Sequence, residues 1–332
     1  MTSIEDDAKQ QEDAEAPATA PAKSTKQIVI AWARRVLVLV VIGFAGWQVA
    51  KSWNEVWATL KTLSWSAVLI SELFVLAGIF LGAYAWQIMV DDLGKPIGFL
   101  RGSQFYLVGS LGKYVPGSVW AYLLQMELGR KAGVPRARIF VGTLISLGVS
   151  VVAMSLLGLL SLPSVLDHAP NAVWLFALLP LGIIALHPKV LTWGTSLVLK
   201  LLRKAPLDHE LRYGIVGKLL GVQVASYVCY GTHLWVLAES AGSPTFRDWL
   251  LTIGAISVGL LGGIFVFILP SGAGVRDAIL VGVLASTLPA SQALAFALVS
   301  RLMFIVGEVL SAGIGWLLPK LKRAPAEVPA EA

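Results

Sequence analysis

Apolar residues in this chain come in long unbroken runs rather than at the spacing of a one-faced helix or strand. Seven such runs fall at about residues 36–57, 66–90, 138–162, 171–187, 213–238, 248–269 and 292–318. A helix rising about 1.5 Å per residue needs roughly 20 apolar residues to cross about 30 Å of hydrocarbon, and most of the runs reach that length. Three more apolar segments, 99–112, 117–129 and 275–288, are only 13 or 14 residues long, the length of re-entrant or broken helices. The pattern predicts an all-α polytopic membrane bundle of about seven or eight full spans plus short re-entrant helices.

Composition narrows the class. Of 332 residues, 56% are hydrophobic and 14% charged, against roughly 25% charged in soluble globular proteins. One cysteine and four histidines provide neither a disulfide framework nor a metal-ligand cluster, so no metal and no cofactor is expected. The net charge of +6 is unevenly spread: residues 1–27 hold six acids and three lysines, leaving +9 on the rest. Residues 1–27, rich in Ala, Pro and Glu, are expected to be a disordered cytoplasmic tail. Residues 28–320 form the transmembrane domain and 321–332 a second short disordered tail. An acidic start also argues against a cleavable signal peptide, so the first run is expected to remain as a helix.

Lys and Arg collect in four places: Lys23 to Arg35, Arg130 to Arg138, Lys189 to Arg212, and Lys320 to Arg323. By the positive-inside rule all four are cytoplasmic, both termini face the cytoplasm, and the membrane is the plasma membrane. Lys51 and Lys61 run against this assignment. The charge bias is explained by the membrane surface, and no nucleic-acid partner is expected. Residues 188–204 combine Leu and Val with a basic end. They read either as an interfacial helix or as an amphipathic connector packed on the protein.

Two places break the apolar pattern. Gly109 to Trp120, GSLGKYVPGSVW, and Leu269 to Asp277, LPSGAGVRD, each combine Gly and Pro with one cation, Lys113 and Arg276. Pro and Gly interrupt a helix, and irregular backbone at membrane depth survives only where protein buries it or a wet cavity meets it. Matching breaks in the two halves of a chain point to a midplane binding site between repeats. The first opens from the outer side and the second from the inner side, the relation an inverted repeat produces.

GKYVPGSVW at 112–120, MELGRKAGV at 126–134 and LPSGAGVRDA at 269–278 resemble the lysylphosphatidylglycerol synthase transmembrane-domain family, over roughly residues 30–320. That family includes the membrane half of the multiple peptide resistance factor. The resemblance implies a flippase-like domain that moves aminoacylated phosphatidylglycerol between leaflets, with aminoacyl transfer left to a separate soluble domain. Only about 14 residues follow the last run here, so aminoacyl transfer is not expected of this chain.

Charges within the runs are the remaining candidates. Glu72 lies in the second run, and Arg301 and Glu308 lie seven residues apart on one face of the last. Such residues cost about 2.5–3.5 kcal/mol at the bilayer centre and usually face the bundle interior. They fit either a structural ion pair or a polar lining for a headgroup. Lys113, Arg276 and Arg301 together suit a lipid phosphate; Tyr114 and Trp120 fit either the lining of a headgroup pocket or an interfacial aromatic belt, the commoner setting for such residues. The candidate substrate-binding set is Lys113, Tyr114, Arg276, Arg301, Glu308 and Glu72. Gln104, Gln125 and Gln223 read as interhelical hydrogen-bond donors and acceptors. The Gly-x-x-x-Gly pairs 78/82, 217/221 and 259/263 read as packing features. His187 and His209 read as solvated connector residues. Glu127 and Asp277 are acids that spacing pairs with no nucleophile, so no enzyme is predicted. The expected function is binding and translocation of an anionic lipid, either a phospholipid or a polyprenyl-linked lipid. The alternative is a non-transporting scaffold for a separately encoded lipid-modifying glycosyltransferase or aminoacyltransferase.

Overall fold

The computed structural model describes residues 54, 57, 58, 61, 63–114, 119–168, 170–201, 211–239, 242, 244–265, 272 and 274–321. The run at 36–57, except Asn54 and Trp57, and the tails 1–27 and 322–332 lie outside them. Every regular element among the described residues is helical. In chain order they are α1 (Trp65–Asp92), α2 (Phe99–Ser110), a 3₁₀ turn (Leu111–Tyr114), α3 (Trp120–Lys131) and α4 (Arg136–Gly158), which continues as 3₁₀ to Ser161. Then come α5 (Leu162–His168), a 3₁₀ stretch (Pro170–Ala177), α6 (Leu178–Ala185), α7 (Pro188–Leu201), α8 (Tyr213–Glu239), α9 (Phe246–Ile264), α10 (Val275–Leu284) and α11 (Ala290–Leu321).

Four segments are long and apolar enough to cross a membrane: Trp65–Asp92, Arg136–Asp167, Phe246–Ile264 and Ala290–Leu317. The protein is a multi-pass membrane protein. Side chains that water would reject point outward from these helices, as Leu69 and Leu73 on α1 and Leu302, Val306 and Val309 on α11 do, which suits a lipid surround. The run at 171–187 is not one helix. It divides into 3₁₀ and α6, and residues 173–185 and 188–201 meet at a 91° bend, making a fifth span only if the pair is counted together. Helix α8 is long enough to span but carries Gln223, Ser226, Thr232 and His233 along its length, which keeps it out of the apolar group.

Those polar residues are partnered inside the bundle. Helix α8 runs antiparallel to α1, with the Ser71 hydroxyl donating to the His233 carbonyl at 2.7 Å and Ser226 donating to the Gly78 carbonyl at 2.7 Å. Gly78 is required there, because a Cβ would lie 2.4 Å from the Tyr230 ring. Gln223 donates to Ser150 on α4, and Trp86 Nε1 donates to Thr143 at 2.8 Å, whose hydroxyl also meets Gln125 Oε1 at 3.2 Å. Two of the three predicted glutamines thus bridge helices. The Gly217/Gly221 pair does not pack: a Cβ at either would meet nothing within 4 Å.

Candidate functional site: two hairpin tips on one helix

Helices α2 and α3 form a hairpin whose open ends sit at the C-terminal end of α1. There Arg138, in the first turn of α4, donates to the carbonyls of Val90 (2.6 and 2.8 Å) and Lys95 (2.7 Å). At the same end Glu127 accepts from Arg130 (2.6 and 3.0 Å) and Arg136 (2.7 Å). These bonds, Arg130's first, hold its carboxyl down at about 2. The hairpin closes on glycine. A Cβ on Gly112 would stand 2.6 Å from the Ala121 nitrogen, and one on Gly109 would stand 2.4 Å from Gln125 Cγ.

A second hairpin, α9 and α10, enters from the opposite end. Its open side adjoins the C-terminus of α8, where Trp235 Nε1 donates to the Thr245 carbonyl at 3.1 Å. Near the tip Gly272 and Gly274 take φ of +66° and +84°, conformations that suit glycine alone. Gly272 lies against Gly263, so that a Cβ there would be 2.6 Å from the Gly263 Cα. Asp277 ends the turn: its Oδ2 accepts the Gly274 N–H at 3.1 Å and starts α10.

Both tips meet α11. Lys113 Nζ pairs with Glu308 Oε1, and Arg301 Nη1 pairs with Asp277 Oδ2. The seven-residue spacing of Arg301 and Glu308 therefore separates two docking points, one per hairpin. The Tyr114 hydroxyl lies against the Glu308 carboxylate, and Lys113 Nζ stands 5.8 Å from the Tyr114 ring centre. Between the two pairs sits Arg276, only 5% exposed. Its stem rests on Gly259 and Gly263, whose added Cβ atoms would lie 3.7 and 3.6 Å from it. Its guanidinium lies 4.3 Å over the Phe304 ring, a cation–π contact. Its Nε and Nη2 find no hydrogen-bond partner among the described residues, and Glu308 Oε2 and Asp277 Oδ1 are likewise unpartnered.

Five of the six sequence candidates thus converge: Lys113, Tyr114, Arg276, Arg301 and Glu308. Of the three cations, Lys113 and Arg301 each pair with a carboxylate, whereas Arg276 keeps two buried N–H nitrogens without a partner among the described residues. Glu72 stands apart, touching α11 at Gly307 from α1, with its Oε1 unpartnered. His187 is exposed, as expected of a connector residue, with its Nε2 2.9 Å from the Tyr213 hydroxyl; His209 lies outside the described residues.

Four site residues escaped the sequence reading. Asp277 was weighed only as an acid or base, although its place three residues after Gly274 marks an N-terminal cap. Phe304 lies three residues after Arg301 and four before Glu308, hence on their face. Behind it, His233 donates from Nδ1 to the Tyr230 carbonyl and meets the Ser300 hydroxyl through Nε2 at 2.9 Å. Nothing in their spacing along the chain foretold that contact. Among the described residues no three His, Cys, Asp or Glu side chains group as a metal site. An apolar groove of about 490 Å³ between α4, α6 and α7 lies away from this cluster.

Comparison with curated proteins returned no match. The model of the lysylphosphatidylglycerol synthase TM region matches residues 31–310, a stretch that contains both hairpins and the α11 ion pairs. The chain belongs to the lysylphosphatidylglycerol synthase transmembrane-region family.

Proposed function

We propose that the protein binds the phosphate of an anionic membrane lipid at Arg276 and passes the headgroup between leaflets along α11, between the two hairpin tips. One observation carries this reading. A nearly fully buried guanidinium presents two unpartnered N–H nitrogens where the hairpins meet. A buried charge without a hydrogen-bonding partner is costly, so its retention implies a ligand that completes it. Two hairpins reaching one helix from opposite ends support an inverted repeat, and with it access from either side. With α9 and α10 returning as a hairpin, counting α8, the bent α6–α7 pair and the 36–57 run as spans beside α1, α4 and α11 gives six crossings. On that count, with the cation clusters inside, both termini are cytoplasmic in the plasma membrane.

Proteoliposomes carrying fluorescent phosphatidylglycerol test the reading through the fraction of label that dithionite reaches. Wild-type protein is expected to expose the inner-leaflet label, and Arg276→Gln to return the rate to that of protein-free vesicles. A wild-type rate equal to that of empty vesicles, or an Arg276→Gln variant as fast as wild type, would sink it.

A further inference from the structure

We infer that the groove between α4, α6 and α7 is a separate, resident lipid site: it holds one acyl chain of an anionic glycerophospholipid and bonds the ester carbonyl of that chain through Thr195. The groove encloses about 490 Å³, within the roughly 300–1,000 Å³ of pockets that hold small ligands. It does not include Arg276, and the inference does not rest on the reading of that residue.

Glycine shapes the groove. Helices α4 and α6 touch where a Cβ on Gly182 would stand 2.4 Å from Val152 Cγ2. The walls then part toward Gly148 on α4 and Gly194 on α7, which both line the groove and would each carry a Cβ with nothing within 4 Å. Helix α7 is fixed by contacts outside the groove. It leaves the segment before it at 91°, buries Leu199, and through the Thr192 hydroxyl accepts the Leu211 N–H at 3.0 Å. The space is therefore set by where the helices are anchored and does not wait on a side chain to move.

The side chains lining it are apolar except for Thr195, which is only 5% exposed. Helical threonines can return the hydroxyl to the carbonyl four residues back, as Thr143 does to Ile139 and Thr232 to Val228, both at 2.8 Å. Thr195 has no hydrogen-bonding partner among the described residues. A buried hydroxyl left unbonded is costly, so the occupant that completes the groove brings hydrocarbon along most of its length and one polar group at Thr195. Charge names the rest of it. Lys189 and Lys200, both exposed, stand at the two ends of α7 with no acid between them. Trp193, Leu197 and Leu201 form its outward face, the build of a helix lying in the membrane interface. At that depth a glycerophospholipid has its ester carbonyls, with a chain below for the groove and an anionic phosphate above for the lysines. A polyprenyl chain has no carbonyl to offer, and the carbonyls of a docked helix are already bonded within it.

Vesicles of phosphatidylcholine and phosphatidylglycerol, with a diazirine on one acyl chain of the phosphatidylglycerol, test the site through the photolabelled peptides that mass spectrometry recovers. Wild-type protein is expected to carry several-fold denser label on 141–151 and 181–198 than on the outward face of α11 around Leu302 and Val306. Thr195→Val keeps the shape of the side chain and removes the hydroxyl. It is expected to cut the groove label about fivefold, the scale of one hydrogen bond, and to leave the label on α11 as it was. An ether-linked probe, which lacks the ester carbonyls, should show the same deficit on wild type and no further loss on Thr195→Val. Gly194→Leu fills the groove and should abolish its label; Gly148→Leu serves if that variant does not fold. Equal label density on the groove and on α11 would mean annular lipid only and overturns the site. An unlabelled groove would mean that another part of the chain or a second copy covers it, and overturns the site as well. Wild-type labelling of Thr195→Val, or equal labelling of wild type by the ester and ether probes, overturns the role of the hydroxyl and with it the choice of occupant.

Discussion

The two hairpins bring one cation each to α11, and they treat it differently. Lys113 sits in a 3₁₀ turn, its side chain is 34% exposed, and it is neutralised by Glu308. Arg276 sits in the first turn of a helix, seated on two glycines and over a phenyl ring, with its own fork of donors unused. A lysine on a flexible stem is a point charge that follows its partner, whereas a planar guanidinium fixed at its stem has its direction set in advance. The charge of the first hairpin docks that hairpin. The charge of the second has two nitrogens without a hydrogen-bonding partner among the described residues. Asp277 makes this arrangement possible by taking Arg301, the nearest competing cation, and by fixing the start of the helix that carries Arg276.

The contrast breaks most sharply at Asp277. Asp277→Ala removes the cap of α10 and leaves Arg301 unpaired beside Arg276, and the loss of one partner from a buried pair costs about 3–5 kcal/mol. Asp277→Asn retains an acceptor for the Gly274 N–H and is expected to recover about 1 kcal/mol of that. Lys113→Met, at the more exposed tip, should cost less than Asp277→Ala. Thermal unfolding of the detergent-solubilised variants ranks them. A Lys113→Met variant less stable than Asp277→Ala would show that the ion pair of the first hairpin, not that of the second, is the better sheltered of the two.

A smaller effect separates the turns themselves. Gly112→Ala pushes a Cβ to 2.6 Å from the Ala121 nitrogen, an overpacking cost of about 1–3 kcal/mol. Gly272→Ala meets the Gly263 Cα at the same 2.6 Å and must also hold φ of +66°, which adds roughly 1–2 kcal/mol for a residue with a Cβ. The second tip is therefore expected to be the less tolerant, and Gly217→Ala, with open space around it, to be harmless. Equal melting temperatures for the Gly112 and Gly272 variants would show that the tip conformation of the second hairpin is not what fixes Arg276.

Much of this was legible from the chain because bilayers enforce coarse rules. Run length located α1, α4, α8, α9 and α11, and the Gly/Pro interruptions located both hairpins to within a few residues. The face shared by Arg301 and Glu308 followed from helical period alone. What the sequence concealed was pairing. Helical spacing placed Arg301 and Glu308 together but did not reveal that each would be taken by a different hairpin, because those contacts join residues 24 and 195 positions apart. The same limit hid His233, whose partners Ser300 and Ser71 lie on other helices. The 171–187 run misled for the opposite reason: its apolar character fitted a span, but the local backbone turns as 3₁₀ through Ala177 and then bends at 187.

The mildest effect is expected at the open end of the first hairpin, where charge meets solvent. Arg130 first, then Arg136, hold Glu127 down at about 2, from an ordinary value of 4.5. A carboxyl whose pKa is lower in the folded protein than in the unfolded chain contributes stability above the unfolded value and loses it as the pH falls through the folded one. The gap in melting temperature between wild type and Glu127→Gln should therefore be constant above about pH 4.5 and close between about 4.5 and 2. Because the cluster is exposed, raising the salt concentration should shrink the gap at every pH. By contrast, the Arg301–Asp277 pair is better shielded from solvent ions, its side chains being 23% and 14% exposed, so the gap between wild type and Asp277→Ala should persist in the same salt. A gap at Glu127 as insensitive to salt as the one at Asp277 would mean that the open end of the first hairpin is no more exposed than the tip of the second, and would remove the distinction between a solvent-facing mouth and a sheltered tip.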